Sequence, residues 1–230
     1  EKLPSNVELV AIQPPGRASR MLEPAYSDMA TLIDDLIESV SAYLDRPYVI
    51  FGHSLGSRVA IELIYQCRLR GLPLPQHFIA SGSRGPDLPV SNQILSAMGD
   101  DELIEELRKL KGAPDVLLAN KDIMKLFLPT LRADLKIADF YRFKEDIKFD
   151  CPVTVLRGEL DESILLEQAE SWGKYFSGSF DMHVLPGGHL FLESEVELLL
   201  QYINNITNTV SLRIAEKPLQ LSELEECIEA

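Results

Sequence analysis

Two rhythms of apolar residues take turns along this chain: short continuous runs, and longer stretches in which apolar positions return every third or fourth residue. Short runs bounded by turn residues predict strands, and the three-to-four spacing predicts amphipathic helices. Residues 7–12 (VELVAI) read as a strand that stops at Pro14-Pro15-Gly16. Residues 27–44 then set Met29, Leu32, Ile33, Leu36, Ile37, Val40 and Leu44 on one helical face, ended by Asp45-Arg46-Pro47. Tyr48-Val49-Ile50-Phe51 is apolar throughout, as for a strand buried on both faces of a parallel sheet. A helix follows at once, with Val59, Leu63 and Cys67 on one line beside Ala60 and Ile64, and ends near Arg70-Gly71. His77-Phe78-Ile79-Ala80 is the next strand. The alternation resumes later with a strand over 152–156, a helix over 164–175, a strand over 182–185 and a helix over 194–208.

Strands that alternate with helices at these lengths make βαβ units, so the fold class is α/β with a mostly parallel sheet and helices on both faces. Between the two halves, roughly residues 90–145, no strand is predicted. Ile94, Leu95 and Met98 form one short helical stripe, Leu103, Leu107 and Leu110 another, and Ile123, Phe127 and Leu131 a third, interrupted by Pro129. About fifty residues is far longer than a plain connection of about six. The segment reads as a helical lid inserted in a single domain, the alternative being a cluster of extra packing helices. Residues 211–230 carry Glu216, Glu223, Glu225, Glu226 and Glu229 against Arg213 and Lys217, which suggests an acidic peripheral helix or tail.

Composition narrows the function classes. The 230 residues are 46% hydrophobic and 25% charged, ordinary for a globular chain. No apolar stretch approaches the roughly 20 residues of a membrane span, and Glu1-Lys2-Leu3-Pro4-Ser5-Asn6 does not look like the start of a signal peptide. The cysteines Cys67, Cys151 and Cys227 are widely spaced and odd in number, so neither a disulfide framework nor a zinc cluster is expected, and a cytoplasmic setting is. A net charge of −14 argues against nucleic-acid binding. An acidic protein partner would need a local basic patch. Arg17, Arg20, Arg58, Arg68, Arg70 and Arg84 are the candidates in the first half, unless they are scattered surface charges.

The chemistry centres on Gly52-His53-Ser54-Leu55-Gly56. It matches G-x-S-x-G in the context that motif requires, a buried strand before it and a helix after it. Ser54 would ride a tight strained turn, and the flanking glycines would avoid collisions with neighbouring elements. The helix N-terminus would aim the N–H of Leu55 at a developing oxyanion. A serine nucleophile needs a base. His53 lies inside the turn and reads as a packing residue. His77 opens a strand at the end away from the reaction, and His183 lies within one. His189 follows a strand through Pro186-Gly187-Gly188, at a carboxyl end where open α/β sheets place their ligands, so it is the expected base. The acid should lie between Ser54 and His189 in chain order. Asp161, in Gly158-Glu159-Leu160-Asp161-Glu162 after strand 152–156, is preferred to Glu159 and Glu162, and Asp87 after strand 77–80 is the competitor.

Four motifs together give a resemblance. Gly52-His53-Ser54-Leu55-Gly56, Pro15-Gly16-Arg17, Leu128-Pro129-Thr130-Leu131-Arg132-Ala133-Asp134 and Gly187-Gly188-His189-Leu190-Phe191-Leu192 look like the type II thioesterases that accompany nonribosomal peptide and polyketide synthases. The likeness covers about residues 7–208 and leaves the tail outside. It implies an α/β-hydrolase fold, Ser54, Asp161 and His189 as a triad, no cofactor or metal, and a lid over about 90–145. The implied substrate is an acyl group on the phosphopantetheine arm of an acyl or peptidyl carrier protein, cleared by a monomeric enzyme when a carrier is blocked. Family members also begin with a further strand and a paired-glycine loop that supplies the second oxyanion donor, which is expected upstream of Glu1. Two other readings stay open: a small-molecule carboxylesterase or lipase on the same triad, and a non-catalytic binding protein on a hydrolase scaffold.

Overall fold

The computed structural model describes residues 2–91, 93–109 and 115–216. The chain divides into two compact units, residues 10–196 and residues 1–9 with 197–230.

In the first unit the ordered elements run α1 (Met29–Val40), β1 (Val49–His53), α2 (Leu55–Leu69), β2 (His77–Ser81), α3 (Asp100–Lys109), α4 (Asp115–Leu118), α5 (Lys121–Phe140), β3 (Val153–Gly158), α6 (Leu166–Glu170), β4 (Phe180–Leu185) and α7 (Phe191–Ser194). The strands form one sheet in the order β1-β2-β3-β4, parallel at every pairing. Parallel strands joined by helical crossovers put all carboxyl ends at one edge. The register aligns His53 with Ser81, Ser81 with Leu156, and Gly158 with Leu185. The loops after β1, β3 and β4 therefore leave the same edge.

Alternation along the strands puts Ile50, Phe78, Ala80, Val153, Val155 and Met182 on one face. They pack with Ala60, Ile61 and Ile64 of α2 and with Ala169, Trp172 and Tyr175. Ile79, Leu156 and Leu185 on the opposite face are fully buried. The apolar stripe of α1 lies against Leu63, Cys67 and Ile137, and Asp28 caps that helix by accepting the Thr31 N–H at 2.8 Å.

Three expectations change. Residues 7–12 form no strand, and Leu9, Val10 and Ile12 are exposed; a β-rich run becomes a strand only where a neighbour pairs with its N–H and C=O groups, and the described residues supply none. The run at 48–51 is less enclosed than its composition suggests: β1 pairs with β2 alone among the described residues, and Phe51 is 39% exposed. In the segment 95–140, Leu95, Leu103, Leu107, Leu118, Met124 and Leu128 form a small apolar cluster of their own. Helix α5 runs continuously through Pro129 and buries Met124 and Leu128 while Phe127 is exposed, one position on from the predicted Ile123/Phe127/Leu131 stripe. Leu110 lies outside the described residues, as do 217–230.

In the second unit, residues 197–215 continue helix α8 (Val196–Ala215). Asn204 donates to the Lys2 carbonyl at 3.0 Å, and Lys2 pairs with Glu197.

The arginines named as patch candidates each have a partner in the fold. Arg20 pairs with Glu23, Arg70 with Asp34, and Arg17 with Asp134 at 2.8 Å, while Arg68 donates to the Lys148 carbonyl. Arg58 is 1% exposed and donates to the carbonyls of Pro86 (3.0 Å), Gly85 (3.4 Å) and Leu88 (2.8 Å). Burial, with Arg142 nearby, pushes its pKa down to about 10, so it remains a cation at neutral pH. It ties the loop after β2 to helix α2. The Pro86 and Gly85 carbonyls also accept the Phe143 and Leu88 N–H groups, both at 3.0 Å. Arg58→Met should therefore remove the charged donor from all three carbonyls, without stripping Pro86 and Gly85 of their backbone donors, and cost on the order of 3 kcal/mol, with little recovery in Arg58→Lys, whose single ammonium cannot span three carbonyls. Chemical denaturation of both variants checks this; stabilities within about 1 kcal/mol of the parent would contradict it.

Candidate active site

Ser54 stands between the last residue of β1 and the first of α2, with φ 54° and ψ −117°. A non-glycine residue with positive φ is strained, by about 1–3 kcal/mol, and persists only where its surroundings hold it. Here the Ser54 N–H donates to the Ser81 carbonyl (2.8 Å) and the Ser54 carbonyl accepts from Ser57 N–H (3.1 Å). Ser57, fully buried, donates its hydroxyl to the Gly52 carbonyl (2.7 Å) and accepts the Ser81 N–H (3.2 Å). A Cβ on Gly52 would lie 2.3 Å from the Gly56 carbonyl oxygen and 2.6 Å from Ser57 N, so the strand and the start of the helix could not approach as they do. Gly56 differs from expectation, since a Cβ there would meet nothing within 4 Å. Leu55 opens α2, where backbone N–H groups have no partner within the helix.

His189 bridges the other two candidates. Its Nε2 lies 3.0 Å from Ser54 Oγ and its Nδ1 2.8 Å from Asp161 Oδ2. The loops carrying His189 and Asp161 are laced together: Glu159 N–H donates to the Leu185 carbonyl (2.7 Å) and Leu160 N–H to the Gly187 carbonyl (2.8 Å). This needs Gly158, because a Cβ there would stand 2.3 Å from the Gly188 carbonyl oxygen. Asp161 is 2% exposed. Its Oδ1 accepts from Ser163 N–H (3.0 Å) and Ser163 Oγ–H (2.5 Å). Burial works to raise its pKa, but hydrogen bonds from His189 and Ser163 outweigh it and hold the carboxyl below its ordinary range. An ionised Asp161 fixes the His189 tautomer with Nδ1–H toward the carboxylate and the Nε2 lone pair toward the serine hydroxyl, the arrangement for drawing a proton from Ser54.

Asp87 does not reach His189 and instead pairs with Lys174 at 2.5 Å. His77 contacts Thr154 Oγ1 at 2.8 Å, and His183 lies within β4. His53 packs as expected: its Nδ1 is 2.9 Å from Ser81 Oγ, and its ring lies 5.2 Å from that of His189 and 5.5 Å from that of Phe191. Sequence reasoning did not single out Ser57, Ser163 or Arg157, and it named Arg84 only as a candidate for a basic patch or else a scattered surface charge. Arg157 donates to the Asp161 (3.0 Å) and Ile164 (2.7 Å) carbonyls, and Arg84 to that of Ser163 (2.9 Å). Two of the motifs meet directly, with Thr130 Oγ donating to the Gly16 carbonyl (2.8 Å) beside the Arg17–Asp134 pair. Among the described residues, no group of three His, Cys, Asp or Glu side chains is placed to hold a metal ion, and no helix is long and apolar enough to cross a membrane.

Burial, then the neighbouring charge of His189, pushes His53 down to about 4. Below the ordinary histidine value of about 6.5 the unfolded chain takes up a proton that the folded chain refuses, so the native state loses stability, by at most roughly 3 kcal/mol, as pH falls toward 4. The contribution of Asp161, whose pKa is lowered, goes at more acid pH, as its carboxylate protonates. His53→Asn should therefore lose about 2 kcal/mol less than the parent between pH 7 and pH 4.5 in denaturant titrations; parallel losses would show that His53 does not carry the effect.

A thioesterase-domain family model matches residues 1–207. The chain is 38% identical over 208 residues to the linear gramicidin dehydrogenase LgrE of Brevibacillus parabrevis, covering 89% of this chain and 79% of that one. Where dinucleotide-binding folds carry G-x-G-x-x-G at their first strand-to-helix turn, the turn after β1 here is Gly52-His53-Ser54-Leu55-Gly56. RedJ, the thioesterase of the prodiginine pathway in Streptomyces coelicolor, superposes with a TM-score of 0.83 at 33% identity, over 89% of this chain and 81% of its own. YbtT, a type II thioesterase from the yersiniabactin NRPS/PKS pathway, gives 0.71 at 27% identity, over 86% and 78%. The α/β-hydrolase fold and the likeness to type II thioesterases expected from the four motifs both hold, and the chain belongs to the thioesterase family.

Proposed function

We propose that this thioester hydrolase clears acyl groups from the phosphopantetheine arm of carrier proteins, with Ser54, His189 and Asp161 as its triad. The observation that carries the triad is the single imidazole within hydrogen-bond reach of both Ser54 Oγ (3.0 Å) and Asp161 Oδ2 (2.8 Å). Membership of the thioesterase family and the pathway settings of RedJ and YbtT support the substrate class.

In this mechanism Ser54 Oγ attacks the thioester carbonyl while His189 Nε2 takes its proton. The developing oxyanion accepts from the Leu55 N–H at the positive end of α2. The tetrahedral adduct collapses, the C–S bond breaks, and imidazolium His189 protonates the departing thiolate. Water then adds to the acyl-serine with His189 again as base, and the carboxylic acid leaves. Asp161 keeps the imidazole oriented and offsets its charge throughout. We read residues 90–145 as a lid on a single hydrolase domain, whose helices would shape the groove for the pantetheine arm, and the protein as a cytoplasmic monomer that meets its carrier transiently.

The competing reading is a small-molecule esterase on the same triad. Turnover of an acetylated carrier should exceed that of a simple acetyl ester in kcat/KM, and Ser54→Ala or His189→Ala should lower both by on the order of a thousandfold or more. Equal or better turnover of the ester would remove the carrier from the account. Activity that survives Ser54→Ala would remove the triad.

A further inference from the structure

The loop after β2 carries an arginine that the mechanism above does not use. Its neighbours are anchored from several directions. Trp172 Nε1 donates to the Ser83 carbonyl (3.0 Å), Gly85 N–H to the Gln168 carbonyl (2.8 Å), and the buried Arg58 guanidinium grips the carbonyls of Gly85, Pro86 and Leu88. From this rigid base Arg84 reaches across to the acid loop. Its Nε donates to the Ser163 carbonyl at 2.9 Å, a second guanidinium nitrogen donates to the same oxygen, and the third holds the Pro89 carbonyl at 3.1 Å. Ser163 in turn gives both its N–H and its hydroxyl to Asp161 Oδ1. The chain of contacts therefore runs from Arg84 through the Ser163 backbone to the carboxylate that orients His189. Arg157 braces the same loop from β3 through the Asp161 and Ile164 carbonyls.

Resting on the triad reading, we propose that Arg84 is a positioning residue of the reaction: through Ser163 it fixes the Asp161 carboxylate against His189 Nδ1. A planar guanidinium suits this task because two N–H groups converge on one carbonyl while the third anchors the arginine to its own loop. Burial pushes the pKa of this half-buried guanidinium down, and the nearby charge of Asp161 partly offsets that by favouring the protonated form. Loss of the grip would let the acid loop relax, and a displacement of even about 1 Å at a group that orients the base can cost up to about a hundredfold in rate.

The test is a cycle on a small soluble thioester, S-acetyl-N-acetylcysteamine, with the parent, Arg84→Gln, Asp161→Asn and the double variant, alongside Arg84→Lys. Arg84→Gln should lower kcat by between about ten- and a hundredfold with KM within about twofold. The far-downfield proton resonance of His189 Nδ1–H should broaden or move. In the Asp161→Asn background the same change should add no further loss, because Arg84 acts only through Asp161. Arg84→Lys, which keeps the charge but not the fork, should fall between parent and Arg84→Gln, and it carries the test if the glutamine variant does not fold. Unchanged kcat in both Arg84 variants, or losses that multiply in the double variant, would overturn the proposal. Full activity in Asp161→Asn would overturn the triad reading and the proposal with it.

Discussion

In the proposed mechanism the nucleophile, Ser54, is held with its backbone in a conformation that serine does not favour. Much of the surrounding structure serves that constraint. The Ser81 carbonyl holds the Ser54 N–H, the buried Ser57 hydroxyl ties the turn to Gly52, and the absent side chain of Gly52 lets strand and helix meet. The strain is local, and the restraints come from β2 as well as from the turn itself, so the pairing of β1 with β2 helps to hold the serine in place. The same geometry aims the first N–H groups of α2 at the space above Ser54, which couples the cost of the turn to the electrostatics an acyl transfer needs.

A second constraint acts at the other end of His189. The imidazole links loops from adjacent strands, and its geometry depends on how closely β3 and β4 end together. Gly158 permits that approach, two backbone hydrogen bonds lock it, and arginines from the loop after β2 and from β3 hold the acid loop by its carbonyls. Asp161 is thus buried yet kept ionised, because the groups around its two oxygens are donors. Fixed donors around a buried carboxylate do what water does for an exposed one, without the reorganisation that water would require.

Much of this was legible in the chain. The G-x-S-x-G turn, the loop histidine after β4 and the carboxylates after β3 each lie at a strand's carboxyl end, so period and punctuation were enough to nominate Ser54, His189 and Asp161. The preference for Asp161 over the competitor Asp87 was made on the sequence, and the sheet order agrees with it by putting β3 rather than β2 beside β4. What escaped was non-local. Arg58 and Arg84 have nothing in their neighbourhood in the chain to separate a buried clamp from a surface charge; apart from Pro89, five residues on from Arg84, their partners are carbonyls 27 to 79 residues away. The run at 7–12 has strand composition but no strand beside it, and Pro129 suggested a break in a helix that continues. In each case tertiary context decided against local preference.

The proposed mechanism requires a covalent acyl intermediate at Ser54. Rapid quench of the protein during turnover of acetyl-pantetheine, followed by intact-mass measurement and peptide mapping, reads that species directly. One acetyl group on the peptide carrying Ser54, absent from Ser54→Ala, is the predicted result. Acetylation at another residue, or steady turnover by Ser54→Ala, would contradict it.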